Sequence, residues 1–247
     1  MQKWFFKIFN DEDTTGQEIQ DNTLREQALN RAKQAVDSEK YSAICTKYEH
    51  LTFDDYKRTK YLDLNTYLTR NVAQADRLGL LDGPPQKILD LGSGCGFFAY
   101  ICGLYGHEVH CLDLPGIDIF ADIMELFGLS RTEQAIKPMI RIDLPESGFD
   151  MVTGLMVKFD AIGEDDRFGP REWKFFLSDM IDNFLIPRGR IFLEFNKLPD
   201  LPLVEAANLE AFQLWGAEIT GPDLGSVYLR DISIESLNTH GDNEDIL

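Results

Sequence analysis

The stretch KILDLGSGCGFFAYICGLYGHEVHCLD, Lys87 to Asp113, sets out in order a buried strand, a glycine-rich turn, a helix and a second strand ending in an acid. Ile88, Leu89 and Leu91 form an apolar run suited to a strand covered on both faces. Gly92, Gly94 and Gly96 follow where the chain must turn sharply and let a ligand approach the backbone. Phe97 to Tyr105 reads as a helix closed by Gly106. Its N-terminus presents unpaired N–H groups and a partial positive charge to the turn. Glu108 to Leu112 then delivers Asp113 to the end of a neighbouring strand. This order is that of a nucleotide-type cofactor site.

Asp113 lies 21 residues after Gly92. That is close to the interval of about 20 at which an acid in a βαβ unit reaches the hydroxyls of a cofactor ribose. A dinucleotide fingerprint requires G-x-G-x-x-G, whereas this chain has G-x-G-x-G, with Phe97 where the third glycine would stand. The missing glycine argues against a nicotinamide-dependent oxidoreductase. Asp90 points the same way, because a carboxylate at the strand end is unfavourable beside a pyrophosphate but can pair with a cationic amino group.

DLGSGCG from Asp90 to Gly96, followed by Asp113, resembles the cofactor motif of class I S-adenosylmethionine-dependent methyltransferases. Phe149 to Leu155, FDMVTGL, is similar to the fourth-strand motif of that superfamily. Leu185 to Phe195, LIPRGRIFLEF, resembles its L-x-P-G-G-R turn and fifth strand, with Arg188 in place of the first glycine. The resemblance spans about Leu62 to Arg230. It implies a Rossmann-like, doubly wound α/β fold: a mostly parallel seven-stranded sheet with a C-terminal antiparallel hairpin and an N-terminal helical extension. It also implies S-adenosylmethionine as cofactor. Asp90 and the backbone of Gly92, Ser93, Gly94, Cys95 and Gly96 would then hold the methionine portion, Asp113 the ribose hydroxyls, and Leu114 a face of the adenine. Asp143 is the candidate for the acid on the adenine amino group. Its segment, IDLPES, is shorter than the family's usual spacing, and a surface turn with Pro145 and Gly148 is the alternative.

The 247 residues suit one α/β domain with additions: a helical extension over 1–81, a methyltransferase-like domain over 82–230 and an acidic tail over 231–247. No apolar run approaches the ~18 residues that span a bilayer. The opening MQKWFFKIFN runs straight into the acids Asp11 to Asp13 and lacks the apolar core of a secretory signal, so a cytoplasmic protein is expected. Cys45, Cys95, Cys102 and Cys111 have no C-x-x-C spacing and no paired histidines, which favours reduced structural thiols and no metal site. A net charge of −18 repels phosphate backbones and anionic membranes, so neither nucleic acid nor a membrane is expected as a partner; the charge selects no partner itself, and a small molecule or saccharide is the substrate expected with the resemblance.

Helical patterns fill the first ~60 residues, with one helix over Leu24 to Ala35. Tyr41, Tyr48, Tyr56, Tyr61 and Tyr67 recur beyond it, either covering the sheet edge or capping a substrate pocket. Further on, the spacing predicts a helix over Ile117 to Phe127, a strand over Pro138 to Ile142, and a helix with a wide apolar face over Arg171 to Leu185. It then predicts a helix over Leu203 to Trp215 and a hairpin of Ala217 to Thr220 with Ser226 to Arg230. From Asp231 on there are five acids and no Lys or Arg, the composition of a solvated, disordered tail.

Substrate-facing groups are expected from the loop Met156 to Gly169 and from the N-terminal helices. That loop has neither histidine nor the N/D-P-P-Y motif of amino-group methylases, and Lys158, Asp160 and Glu194 are the polar groups nearest the expected mouth. They are the candidates for catalysis; a carboxylate that is partly buried can accept a proton near neutrality. The reading is an S-adenosylmethionine-dependent methyltransferase acting on a small molecule or saccharide, at oxygen. The alternative is a non-catalytic S-adenosylmethionine-binding sensor or partner subunit.

Overall fold

A computed structural model describes residues 11–50, 59–157, 168–195, 206–220, 226–230 and 234–239. Two helices, α1 (Asp11–Ala35) and α2 (Ser38–Tyr48), precede a 3-10 turn (Lys60–Leu62) and α3 (Leu64–Arg77). Asp37 and Asp63 cap α2 and α3, each accepting a backbone N–H from the first turn. The glycine-turn unit follows as β1 (Lys87–Leu91), α4 (Phe97–Leu104) and β2 (Glu108–Asp113). Then come α5 (Asp118–Leu126), β3 (Arg131–Glu133), β4 (Phe149–Val157), α6 (Pro170–Asp179) with a π-helical turn (Met180–Phe184), and β5 (Leu185–Phe195). The chain closes with α7 (Ala206–Leu214), β6 (Glu218–Thr220), β7 (Ser226–Leu229) and α8 (Ile234–Thr239).

The seven strands form one sheet in the order β3-β2-β1-β4-β5-β7-β6. The first five are parallel, and β7 pairs antiparallel with both β5 and β6. Strand residues alternate between two cores. Leu89, Val152 and Ile191 face α6, α7 and α8, around Trp173 and Phe212. Ile88, Met151 and Phe192 face α1, α3 and α4. Both faces are therefore covered, as the continuous apolar runs require, and burying each such side chain is worth about 1.5–3 kcal/mol.

Three expectations change. The third strand is Arg131–Glu133, not Pro138 to Ile142; Met139 takes φ 57°, which breaks an extended run, and Met139 and Ile140 are exposed. The helix predicted to Leu185 ends in the π turn, and Leu185 already pairs with Phe149 in the sheet. Part of the expected tail is ordered: α8 forms there and buries Leu237 in the core. The substituted turn keeps its glycine-like shape, with Arg188 at φ 66°.

The N-terminal helices are fastened to the sheet domain at several points. Tyr48 Oη (2.7 Å) and Lys47 Nζ (2.6 Å) both donate to Asp122 on α5, Tyr100 Oη of α4 donates to the Ala32 carbonyl, and Arg25 pairs with Asp76. Tyr41 donates to the Leu62 carbonyl. Tyr41 and Tyr48 are thus structural ties, and Tyr56 lies outside the described residues.

Candidate functional site

A cavity of about 420 Å³ opens at the C-terminal ends of β1, β2 and β4, where the sheet's strand order reverses. Its floor is the glycine turn, with Asp90, Gly92, Ser93, Gly94, Cys95, Asp113 and Leu114 on the lining. Gly96 stands just outside, at the cap of α4. Lys158 and Asp160 lie outside the described residues.

The turn is strapped to β2. Gly92 and Ser93 both donate their N–H to the Leu112 carbonyl, at 2.7 and 3.2 Å. Asp113 closes the strap, accepting from Gly94 N–H through Oδ2 and from Leu114 N–H through Oδ1. Gly94, at φ 56°, has nothing within 4 Å of where a Cβ would stand, so its backbone faces open cavity. Gly92 is confined instead: at φ 67°, an added Cβ would lie 2.6 Å from Val157 Cγ2. Gly92→Ala adds a left-handed penalty to an overpacked contact and is expected to cost about 2–4 kcal/mol. Thermal denaturation checks this; an unchanged melting temperature would mean that Val157 yields freely.

The wall opposite is bent. The β4–β5 register slips between Leu155 and Val157, and Met156 between them takes φ 60° and lines the cavity. A non-glycine residue held there at a cavity wall is the kind of local strain that collects at functional sites.

Both floor acids are buried. Asp90 is 2% exposed and its Oδ1 accepts from Thr153 Oγ1 at 2.7 Å. Burial pushes its pKa up to about 7; the nearby Asp113 adds to the rise and the Thr153 hydroxyl opposes it. Burial also raises Asp113, against its two backbone N–H bonds and the Arg131 charge. Among the described residues no cation pairs with Asp90, which suits a ligand ammonium, while Asp113 keeps lone pairs for hydroxyl donors.

α3 supplies the roof. Tyr67, Arg70, Asn71 and Gln74, at offsets of 0, 3, 4 and 7, line the cavity, while Leu68, Val72 and Ala75 pack into the core behind. Tyr61 joins them, its ring 4.8 Å from Tyr67 and 5.0 Å from Phe120, and Tyr67 stacks on Phe97 at 5.2 Å. Burial, with smaller contributions from Tyr67, Cys95 and Asp113, pushes the Tyr61 phenol up to about 12. Sequence reasoning grouped the tyrosines without separating these two, and it missed the polar stripe of α3.

Two expected site residues lie elsewhere. Glu194 is not on the lining: Arg77 Nη2 approaches its Oε2 at 2.5 Å and Gln74 Nε2 its Oε1 at 3.4 Å, so it ties α3 to β5. Asp143 is exposed, and it is its backbone N–H that donates, at 3.0 Å, to Gln134 Oε1. Gln134 itself lines the cavity beside Ile136, its N–H bonded to the Asp113 carbonyl at 2.9 Å. Gln134 and Ile136, and not Asp143, line the cavity.

No family model matches the chain, and no curated protein does. The solved structures that it resembles, at low identity, include methyltransferases. An amino pentose methyltransferase, CalS10 from Micromonospora echinaspora, is 22% identical with a TM-score of 0.44 over 61% of this chain and 60% of its own. DesVI of Streptomyces venezuelae is 15% identical with the same score and the same shares. A SAM-dependent methyltransferase from Aquifex aeolicus is 18% identical with a TM-score of 0.49 over 73% of this chain and 100% of its own. The chain thus spans about three fifths of the length of the first two. The strand order, the reversed β7 and the glycine turn after β1 decide the architecture. The fold is Rossmann-like, a doubly wound α/β sheet closed by an antiparallel hairpin. In that fold the cavity, the two floor acids and the α3 roof fall together at the carboxyl edge of the parallel strands.

Proposed function

We propose that this chain is an S-adenosylmethionine-dependent methyltransferase of the cytoplasm, acting on an oxygen of a small molecule or saccharide. The observation that carries the reading is the pairing, in one cavity, of two buried carboxylates of different environment: Asp90, held by the Thr153 hydroxyl with no cation among the described residues, and Asp113, strapped to the turn. Neither acid suits a phosphate, and together they suit a ligand with an ammonium at one end and hydroxyls at the other. The cofactor, when bound, supplies an electrophilic methyl group on a sulfonium. Asp90 takes the ammonium, Asp113 accepts from the ribose hydroxyls, and Leu114 and Ile136 offer apolar surface to the base. The Gly94 backbone leaves room for close approach. Tyr61, Tyr67 and the polar face of α3 cover the site and hold water out, so that orientation and desolvation supply much of the rate. The four cysteines are unpaired, and no described helix is long and apolar enough to cross a membrane. The charge of −18 disfavours nucleic acid as substrate and anionic membranes as partners.

Calorimetric titration with S-adenosylmethionine, with NAD in parallel, tests the reading. Binding of S-adenosylmethionine together with S-adenosylhomocysteine production against a panel of sugars and small alcohols is the expected result. Binding of NAD alone would overturn it.

A further inference from the structure

The charges on the cavity lining are sorted by depth. Among the described residues its acids are Asp90 and Asp113, both buried in the floor, and its cations are Lys60 and Arg70, both exposed at the mouth. The chain has 42 acidic side chains to 24 basic ones, so an exposed rim whose described charges are both positive runs against its composition.

The two cations converge on one side chain. Lys60 Nζ lies 5.0 Å from the centre of the Tyr61 ring. Burial holds the Tyr61 phenol up at about 12, with the Arg70 charge pulling the other way, so through neutral pH Tyr61 keeps its proton and can donate it to an acceptor. Arg70 pairs with Glu194 Oε1 at 3.9 Å, but Arg77 meets the same carboxylate at 2.5 Å, so one acid answers two guanidiniums. An exposed pair at the longer distance is weakly held and exchanges readily for a better-placed acceptor. A small anion at the rim lies within the screening length of about 8 Å from these groups and feels them more than the charge of the whole chain.

Resting on the cofactor reading above, which assigns the floor acids to S-adenosylmethionine, we propose that the methyl acceptor carries an oxyanion, a carboxylate or a phosphate, bound at the cavity mouth by Arg70 and Lys60 with the Tyr61 hydroxyl donating to it. The planar guanidinium can meet two oxygens of either group at once, and Lys60 adds a compact charge. The substrate is then an acidic or phosphorylated small molecule or saccharide, not a neutral one, and the N-terminal extension selects it.

Glucose, glucuronate and glucose 6-phosphate, each titrated at constant ionic strength into protein saturated with S-adenosylhomocysteine and followed by NMR, test this. At least one of the two anions is expected to bind saturably, to shift the Tyr61 ring signals and to bind roughly tenfold or more tightly than glucose. Tighter binding of the phosphate or of the uronate names the group. Arg70→Met and Lys60→Met should each weaken the anion by a factor on the order of ten while affinity for S-adenosylmethionine stays within about twofold, and Arg70→Lys should recover part of the loss. Glucose binding as tightly as the anions, anion binding unchanged in both variants, or no saturable binding of either anion would overturn the proposal. An equal loss of S-adenosylmethionine affinity in Arg70→Met would also overturn it, by giving the cations to the cofactor. If the protein does not bind S-adenosylhomocysteine, the cofactor reading itself fails and takes the proposal with it. If it binds S-adenosylhomocysteine but neither anion, the cofactor reading stands and only the anionic substrate is lost.

Discussion

At pH 8 and without ligand, Asp90→Asn is expected to melt roughly 5–10 °C above the wild type, although it loses most of its affinity for S-adenosylmethionine. The stability effect follows from burial. Asp90 is 2% exposed, accepts a hydrogen bond from Thr153 and has no cation beside it among the described residues, and its folded pKa is raised from 3.8 to about 7. A carboxyl group raised in the folded state stabilises the protein at low pH, and that contribution is lost as pH climbs from about 4 through about 7. Above that range the folded protein carries a buried charge at a cost on the order of 3–4 kcal/mol. Asparagine keeps an oxygen for the Thr153 hydroxyl and carries no charge. The gap between the two proteins should close near pH 4, where wild-type Asp90 is neutral in the folded state. Melting curves at pH 4.5 and 8 decide the matter, and a gap that is independent of pH would mean that Asp90 is not the titrating group.

Binding should move the opposite way. An ammonium beside Asp90 stabilises the carboxylate, so wild-type affinity should hold at pH 8 and fall by up to tenfold per pH unit below about 7. In Asp90→Asn the affinity should be weak, with that dependence on pH removed. A residue kept charged against the stability of its own fold is what a ligand site requires, and it separates Asp90 from an ordinary core polar group.

Where local chain order alone fixes geometry, the sequence was sufficient. The turn from Gly92 to Gly96 and the acid at Asp113 are set by a strand, a tight turn and a helix that follow one another directly, and the structure brings them to one cavity edge. Pairings across long separations left no such mark. Glu194 meets Arg77 from 117 residues away, and nothing around either residue announces the other. The third strand was missed because it is three residues, Arg-Thr-Glu, paired on one side only, whereas the apolar Met139, Ile140 and Ile142 imitated a strand in a segment that turns. Leu237 was hidden by composition, a core residue in an acidic stretch. The stripe of Tyr67, Arg70, Asn71 and Gln74 was within reach: polar residues at offsets of three and four, opposite Leu68, Val72 and Ala75, are a helix with a second face to account for.

Asp113→Ala is expected to lower affinity for S-adenosylmethionine by a factor on the order of 10² to 10⁴, the combined effect of two hydrogen bonds to a charged acceptor. The same change orphans the Gly94 and Leu114 N–H groups that Asp113 accepts, so those two amides should also exchange with solvent faster. Adenosine separates the two acids, because it has the ribose hydroxyls but no amino-acid end. Its affinity should fall in Asp113→Ala and stay unchanged in Asp90→Asn. Asp113→Asn should be intermediate, since its amide has one oxygen to divide between the turn and the ribose. Unchanged binding of S-adenosylmethionine in Asp113→Ala would reject the ribose assignment. A loss of adenosine binding in Asp90→Asn as well would mean that both acids act through the shape of the glycine turn, not on opposite ends of one ligand.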